Sequence, residues 1–168
     1  MIIKPVGSFD TSVAVPGDKS ISHRYALLGG AAEGTTLIHN YSSSRDCHST
    51  LSCLEQLGIE VLKDGLGVEI RSRGYSKWEA PVSALDAGNS GTTIRLLSGL
   101  LAGQPFESMI KGDESLSGRP MNRIIEPLRQ MGAQIDSRES GLPPLTIRGG
   151  NLTPVLYELP VASAQVKS

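Results

Sequence analysis

An internal repeat constrains the fold of this chain more than any other sequence feature. A helix-start motif at residues 19–24 returns at residues 90–95, and an apolar run followed by small residues continues both copies. The motifs lie 71 residues apart, and they pair Ser20 with Gly91 and Arg24 with Arg95. Self-similarity at a fixed spacing is typical of one supersecondary unit used more than once.

A second pair of segments supports the same repeat. Residues 51–61 resemble residues 125–135, because both are amphipathic helical patterns that end in Gly and continue into a short strand. Residues 67–71 likewise parallel residues 144–148. Residues 163–168 resemble the two helix starts, so a third unit is predicted to begin there.

Each unit is predicted to contain strand, helix, strand, helix, strand and strand, which gives an α/β (α+β) fold of repeated βαβαββ units. The predicted helices are 20–32, 46–57, 91–101 and 119–131. The predicted strands are 12–15, 35–40, 59–63, 68–71, 107–111, 133–137, 145–147 and 155–158.

The repeat also divides the chain. The first unit is predicted to cover about 12–80, the second about 81–150, and residues 151–168 to begin a truncated third unit. The last residue falls inside a helical pattern that has just begun, and one turn of helix cannot offset its nucleation cost. We therefore expect a chain cut from a longer protein.

Composition excludes several classes of protein. With 168 residues, 39% hydrophobic and 20% charged, the chain is predicted to be globular, and a net charge of −1 argues against a nucleic-acid partner. Cys47 and Cys53 form no metal-binding pattern, so we expect two reduced thiols and no metal site. We see no leader at residues 1–6 and no apolar stretch long enough for a bilayer, so we expect a cytoplasmic protein without a membrane partner.

Three loop-to-helix junctions predict anion binding. Residues 16–20, 88–93 and 163–165 combine small or polar residues with a helix start, where free N–H groups and the positive helix end attract anions. Cationic residues lie close by in sequence: Lys19, Arg24, Arg95, Arg119 and Lys167. If the repeat brings the junctions to one edge, they form a cleft for phosphates and carboxylates.

Other interpretations of these residues remain open. Ser at a helix start is typically an N-cap, and Arg24 and Arg95 could instead be solvated or pair with acidic side chains. We interpret His23, His39 and His48 as structural residues. No Walker loop, dinucleotide fingerprint or metal motif is present in the sequence.

Four ordered motifs resemble those of the 5-enolpyruvylshikimate-3-phosphate synthase family. They are residues 15–24 (VPGDKSISHR), 85–95 (LDAGNSGTTIR), 112–121 (GDESLSGRPM) and 161–168 (VASAQVKS). The resemblance covers essentially the whole chain. It implies the inside-out α/β barrel of the enolpyruvyl transferases, with three units in each of two domains. The second domain is absent from this sequence.

The resemblance also implies an activity. The family transfers the enolpyruvyl group of phosphoenolpyruvate to the 5-hydroxyl of shikimate 3-phosphate and releases phosphate, as a step of chorismate and aromatic amino-acid biosynthesis. It implies no cofactor and no metal, and we expect the full-length protein to be a monomer. The isolated segment is expected to be inactive, because the proton-transferring acidic residue belongs to the absent domain.

Residue roles follow from the resemblance alone. Lys19 would contact both substrates, Gly91 (through its N–H) and Arg119 would bind phosphoenolpyruvate, and Gln165 would reach both ligands. Shikimate 3-phosphate would contact a second set: Ser20, Arg24, Ser163 and, through its backbone, Ala164. Asp46, Asn89 and Arg95 are further candidates, and no catalytic residue is assigned within the segment.

Two positions in the motifs can be compared with the residues that the family carries there. Ala164 replaces a serine found in part of the family, which removes a hydroxyl contact but no backbone contact. Gly91 keeps the small residue that leaves room for the inhibitor glyphosate.

Two alternatives stay open at this stage. A UDP-N-acetylglucosamine enolpyruvyl transferase shares the fold, although the stretch at residues 19–24 argues against it. A non-catalytic binding module built from the same repeat would fit a gene that ends at Ser168.

Overall fold

The computed structural model describes residues 7–8, 10–65, 67–160 and 162–168. Residues 1–6, where we expect no leader, lie outside these ranges. Val161, the first residue of the fourth motif, also lies outside them.

The first half of the chain packs two helices on a three-stranded sheet. Its elements are α1 (Lys19–Ala31), β1 (Glu33–Ile38), α2 (Arg45–Gln56), β2 (Glu60–Asp64) and β3 (Gly67–Arg73). The strands are antiparallel and lie in the order β1-β3-β2.

The second half repeats this arrangement. Its elements are β4 (Leu85–Asp86), α3 (Gly91–Ala102), β5 (Glu107–Lys111), α4 (Glu114–Ser117), α5 (Asn122–Gln130), β6 (Gln134–Arg138) and β7 (Leu142–Arg148), and α6 (Ala164–Lys167) follows. Here the order is β4-β5-β7-β6, so β5-β7-β6 repeats the order of the first sheet, and β4 adds a parallel edge strand. The predicted mixed α/β class is confirmed.

Aliphatic side chains hold the two halves together in one core. Leu54 of α2, Leu97 of α3, Ile70 of β3 and Leu145 of β7 are all inaccessible to solvent and belong to the same cluster. Because α3 packs against both earlier helices as well as against β5 and β7, its position is fixed by the core rather than by a surface loop. The start of α3 is therefore a rigid part of the molecule.

Short polar side chains begin the helices, as their type predicts. Each caps its helix by accepting the N–H three residues later: Asp18 for α1, Ser44 for α2, Ser90 for α3 and Asp113 for α4. Ser20 lies inside α1, and Ser163 begins α6 without a side-chain cap bond. The capping interpretation is thus correct for Ser90 and wrong for Ser20.

Several predicted elements differ from the structure. The helix predicted at 119–131 begins only at Asn122, since Pro120 disfavours a helical conformation in Arg119, and the short α4 precedes it. No strand forms at 12–15 or 155–158, because neither segment has a neighbouring strand within the described residues with which to pair. The two-residue strand β4 carries too little pattern to be predicted from sequence.

The cysteines and histidines, which we expect to be structural residues, differ in their burial. Cys47 and Cys53 are buried free thiols, and burial raises the pKa of Cys53 to about 12. His23 is buried, in agreement with a packing role, whereas His39 and His48 are exposed. No helix within the described ranges is both long enough and apolar enough to cross a membrane.

Candidate functional site

The loop before α3 presents backbone N–H groups at its end. Gly88 adopts a positive φ of 56°, and its N–H donates to the carboxylate of Asp86 at 2.8 Å, which closes the turn. Ser90 then caps the helix by accepting the N–H of Thr93 at 3.1 Å. The N–H groups of Gly91 and Thr92 find no acceptor among the described residues, so the positive end of α3 is available to an anion.

Two guanidinium groups lie directly over this helix start. A Cβ atom added to Gly91 would lie 2.8 Å from Nη1 of Arg95 and 3.7 Å from Nη1 of Arg119. Arg119 is held by Nη2, which donates to Oγ of Ser115 at 2.8 Å, and by Nη1, which donates to the carbonyl of Asn89 at 3.4 Å. Nη1 of Arg95 also donates to the carbonyl of Gly91 at 3.3 Å. Only glycine at position 91 therefore leaves both guanidinium groups in these places without a shift.

Gln165 joins this group from the C-terminal helix α6. Its Oε1 accepts a hydrogen bond from Nη1 of Arg95 at 2.9 Å, and its Nε2 donates to Oγ1 of Thr92 at 2.9 Å. The internal ion pair considered for Arg95 is not formed with any described residue, since an amide takes that place. Burial lowers the pKa of Arg95, and the charges of Arg119 and Arg123 lower it further.

A cleft of about 480 Å³ opens beside these arginines, within the size range of small-molecule sites. Its lining consists of Arg95, Gly118, Arg119, Pro120, Asn122 and Arg123. Within the described part of the chain, three cations and no carboxylate line the cleft, which is an arrangement suited to a small polyanion. Arg123 was not among the sequence-based candidates, although it lies only four residues after Arg119 in the chain.

The start of α3, with Arg95 and Arg119 beside Gly91, is one cationic corner of the fold, the Gly91 corner. The start of α1 forms a second one, the Lys19 corner. Nζ of Lys19 lies 2.5 Å from Oδ2 of Asp46, and the Lys19 side chain is half exposed while that of Asp46 is largely buried. Asp46 also accepts a hydrogen bond at its backbone carbonyl from the hydroxyl of Thr93, at 3.3 Å. One residue of α2 therefore contacts both corners, through its carboxylate and its carbonyl.

Arg24 lies apart from the arginine cleft. Its Nη2 donates to Oγ of Ser168 at 2.7 Å, and its Nη1 donates to the carbonyl of Ser20 at 3.2 Å. It borders a separate cavity of about 300 Å³ whose walls are mostly leucine. The structure thus brings together Gly91, Arg95, Arg119 and Gln165, links Lys19 to them through Asp46, and places Arg24 at a separate cavity. Ser163 and Ala164 begin α6 and are partly or fully exposed.

A buried chain of hydrogen bonds runs beneath the two corners. Nδ1 of His23 lies 2.6 Å from Oγ1 of Thr50, which lies 2.7 Å from Oγ1 of Thr93. The Thr93 hydroxyl in turn lies 2.7 Å from Oγ of Ser90, the cap of α3. Three helices are thereby connected through polar side chains that solvent does not reach.

Nearly the whole chain matches a family model. The model is that of EPSP synthase (3-phosphoshikimate 1-carboxyvinyltransferase), and it covers residues 3–168. The chain belongs to the EPSP synthase family. Similar curated proteins named 3-phosphoshikimate 1-carboxyvinyltransferase come from Solibacter usitatus, with 54% identity over 166 residues, and Bacillus cereus, with 51% identity over 168 residues.

Solved structures give the same relationship. An EPSP synthase from Acinetobacter baumannii superimposes with a TM-score of 0.89 and 48% identity, covering 92% of this chain and 36% of that one. The chain covers 39% of the length of the two curated relatives.

Among the residues that the structure describes, no group of three His, Cys, Asp or Glu side chains could hold a metal ion.

The buried imidazole of His23 generates a pH prediction. Burial lowers its pKa from 6.5 to about 4; the Asp46 charge opposes this shift, and the charges of Lys19 and Arg24 add to it. Between these values the unfolded chain binds a proton that the folded chain does not, so stability falls as pH falls. We expect His23 to remove about 3 kcal/mol from the free energy of unfolding between pH 7 and pH 4.

Urea unfolding at several pH values tests this expectation. His23→Asn should flatten the loss of stability on acidification, whereas the same change at the exposed His39 should preserve the wild-type slope. Equal slopes for wild type and His23→Asn would contradict the assignment.

Proposed function

We propose that this chain is the N-terminal part of an enzyme that transfers the enolpyruvyl group from phosphoenolpyruvate to the 5-hydroxyl of shikimate 3-phosphate. The observation that carries the proposal is the convergence of Arg95 and Arg119 on Gly91, at the start of α3, in a member of the EPSP synthase family. Phosphoenolpyruvate carries a phosphate and a carboxylate, and both suit bidentate guanidinium contacts.

In this proposal phosphoenolpyruvate binds at the start of α3. The Gly91 N–H donates to it, Arg119 neutralises its charge, and Lys19 reaches it from the α1 corner. Gln165 and Arg95 form the wall of the same site, since their hydrogen bond of 2.9 Å joins α6 to α3. Charge neutralisation of this kind favours attack at C2 and the later departure of phosphate.

Shikimate 3-phosphate binds beside it, between the start of α1 and α6. Ser20 and Arg24 contribute from α1, and Ser163 and Ala164 contribute from the start of α6. Support comes from the contact of 2.7 Å between Arg24 and Ser168, which joins α1 to the end of α6, and both helices pack against α3. Ala164 is exposed, and its backbone N–H binds a phosphate oxygen in this proposal.

The proton-transfer groups lie outside this chain in the same proposal. The cleft is lined by cations and lacks a carboxylate among the described residues, so it supports charge neutralisation rather than general acid–base chemistry. We propose units at 12–80, 81–150 and 151–168, with a second domain in the full protein. We also propose a cytoplasmic, monomeric enzyme that uses no cofactor.

The test is an assay of the full-length gene product. The reading frame should continue past Ser168, and the purified protein should release phosphate from phosphoenolpyruvate with shikimate 3-phosphate but not with UDP-N-acetylglucosamine. The 168-residue chain alone should form no product. A stop codon after Ser168, or turnover with the UDP-sugar only, would overturn the proposal, and turnover by the chain alone would refute the assignment of proton transfer to the missing part.

Gly91→Ala should weaken phosphoenolpyruvate binding in the full-length enzyme. The new Cβ would lie 2.8 Å from Nη1 of Arg95, so the guanidinium must move away from the ligand. Displacing one charge-assisted hydrogen bond should raise the KM for phosphoenolpyruvate roughly tenfold. The KM for shikimate 3-phosphate should change much less.

Gly99→Ala is the matched control, because Gly99 lies in the same helix and a Cβ there meets no atom within 4 Å. It should leave both KM values unchanged. An equal KM for phosphoenolpyruvate in Gly91→Ala and Gly99→Ala would contradict the placement of phosphoenolpyruvate at Gly91.

A further inference from the structure

The buried hydroxyls beneath the site are not needed to fill the core. Thr50 and Thr93 are completely inaccessible to solvent, and valine has nearly the same shape without a hydroxyl to desolvate. Ser98, in the same helix as Thr93, is also buried, but its one hydroxyl bond among the described residues goes to the carbonyl of Ile94, one turn earlier. The Thr50 and Thr93 hydroxyls instead connect different helices.

The direction of the hydrogen bonds follows from their acceptors. The Thr93 hydroxyl has a single proton, which it donates to Oγ of Ser90 at 2.7 Å or to the carbonyl of Asp46 at 3.3 Å. In either case no proton remains for Thr50. The Thr93 hydroxyl therefore accepts from Thr50, which accepts from the Nδ1–H of His23. This tautomer leaves an unprotonated Nε2 in the core, where the described residues offer it no partner. The opposite tautomer would bury an unpaired N–H, which is rarer in proteins.

The same chain controls two contacts of the proposed substrate site. At one end, Thr93 and Ser90 shape the first turn of α3, which carries the Gly91 N–H. At the other, the Thr93 hydroxyl bonds the carbonyl of Asp46, whose carboxylate holds Lys19 at 2.5 Å. The low pKa of His23, about 4, keeps the imidazole neutral, so it does not compete with Lys19 for Asp46.

We propose that His23, Thr50 and Thr93 are positioning residues. They fix the position of the Lys19 corner relative to the Gly91 corner. They touch no substrate and act through Asp46 and the first turn of α3. The inference rests on the proposed function, since it assumes that one phosphoenolpyruvate molecule contacts both corners. It adds a role for three residues that are otherwise core residues of the fold.

Steady-state kinetics of the full-length enzyme tests the proposal. Thr93→Val removes the hydroxyl and keeps the shape, so the KM for phosphoenolpyruvate should rise about five- to tenfold, while kcat changes by less than about twofold. Thr93→Ser restores a hydroxyl and should return the KM to near the wild-type value. Thr50→Val should resemble Thr93→Val, and the double variant should add little, because both break one connected chain.

Ser98→Ala is the control for a purely structural effect. It also deletes a buried hydroxyl of α3, and it should lower the melting temperature without raising the KM for phosphoenolpyruvate. An unchanged KM in Thr93→Val, no rescue by Thr93→Ser, or an equal KM rise in Ser98→Ala would overturn the inference and leave the proposed function standing. A wild-type enzyme that does not turn over phosphoenolpyruvate with shikimate 3-phosphate would overturn both.

Discussion

The site depends on the close approach of two guanidinium groups to the first turn of α3. That approach requires glycine at position 91, because a Cβ atom there would lie 2.8 Å from Nη1 of Arg95, closer than ordinary van der Waals contact. It also requires a helix start that cannot move, and the packing of α3 against both earlier helices and the second sheet supplies this. The free N–H groups, the helix dipole and the arginine charges then act on the same small volume.

Charge is arranged differently at the site and on the rest of the surface. Arg71 and Arg148 each pair with two carboxylates, and such exposed pairs add little to stability. Arg95, Arg119 and Arg123 share a cleft and form no ion pair with a described residue, so their mutual repulsion is uncompensated within that part of the chain. Such a cluster is unfavourable for folding and favourable for binding an anion, which is the expected balance at a functional site. The overall charge of −1 conceals this local excess.

Most helices of the fold could be predicted from the repeat and its capping residues, whereas the side-chain contacts of the site depend on tertiary structure. The helix starts at Ser90 and Asp18 follow from local capping chemistry, so three of four predicted helices agree with the structure to within a residue or two. The partners of Arg95 and Arg24 could not be predicted, because Gln165 and Ser168 lie 70 and 144 residues further along the chain. The link between Thr50 and Thr93 was missed for the same reason, since a hydroxyl in a helical pattern carries no sign of its neighbours.

Titration of the 168-residue chain with phosphoenolpyruvate, followed by the amide NMR signals, tests the central claim most directly. If the start of α3 is the anion site, the backbone N–H signals of Gly91 and Thr92 should shift most, together with the side-chain signals of Arg95 and Arg119. Arg148, which pairs with Glu107 and Asp136 at a distant strand, should show no change. Shifts at Arg148 as large as those at Gly91, or saturation that leaves Gly91 and Thr92 unmoved, would contradict the account.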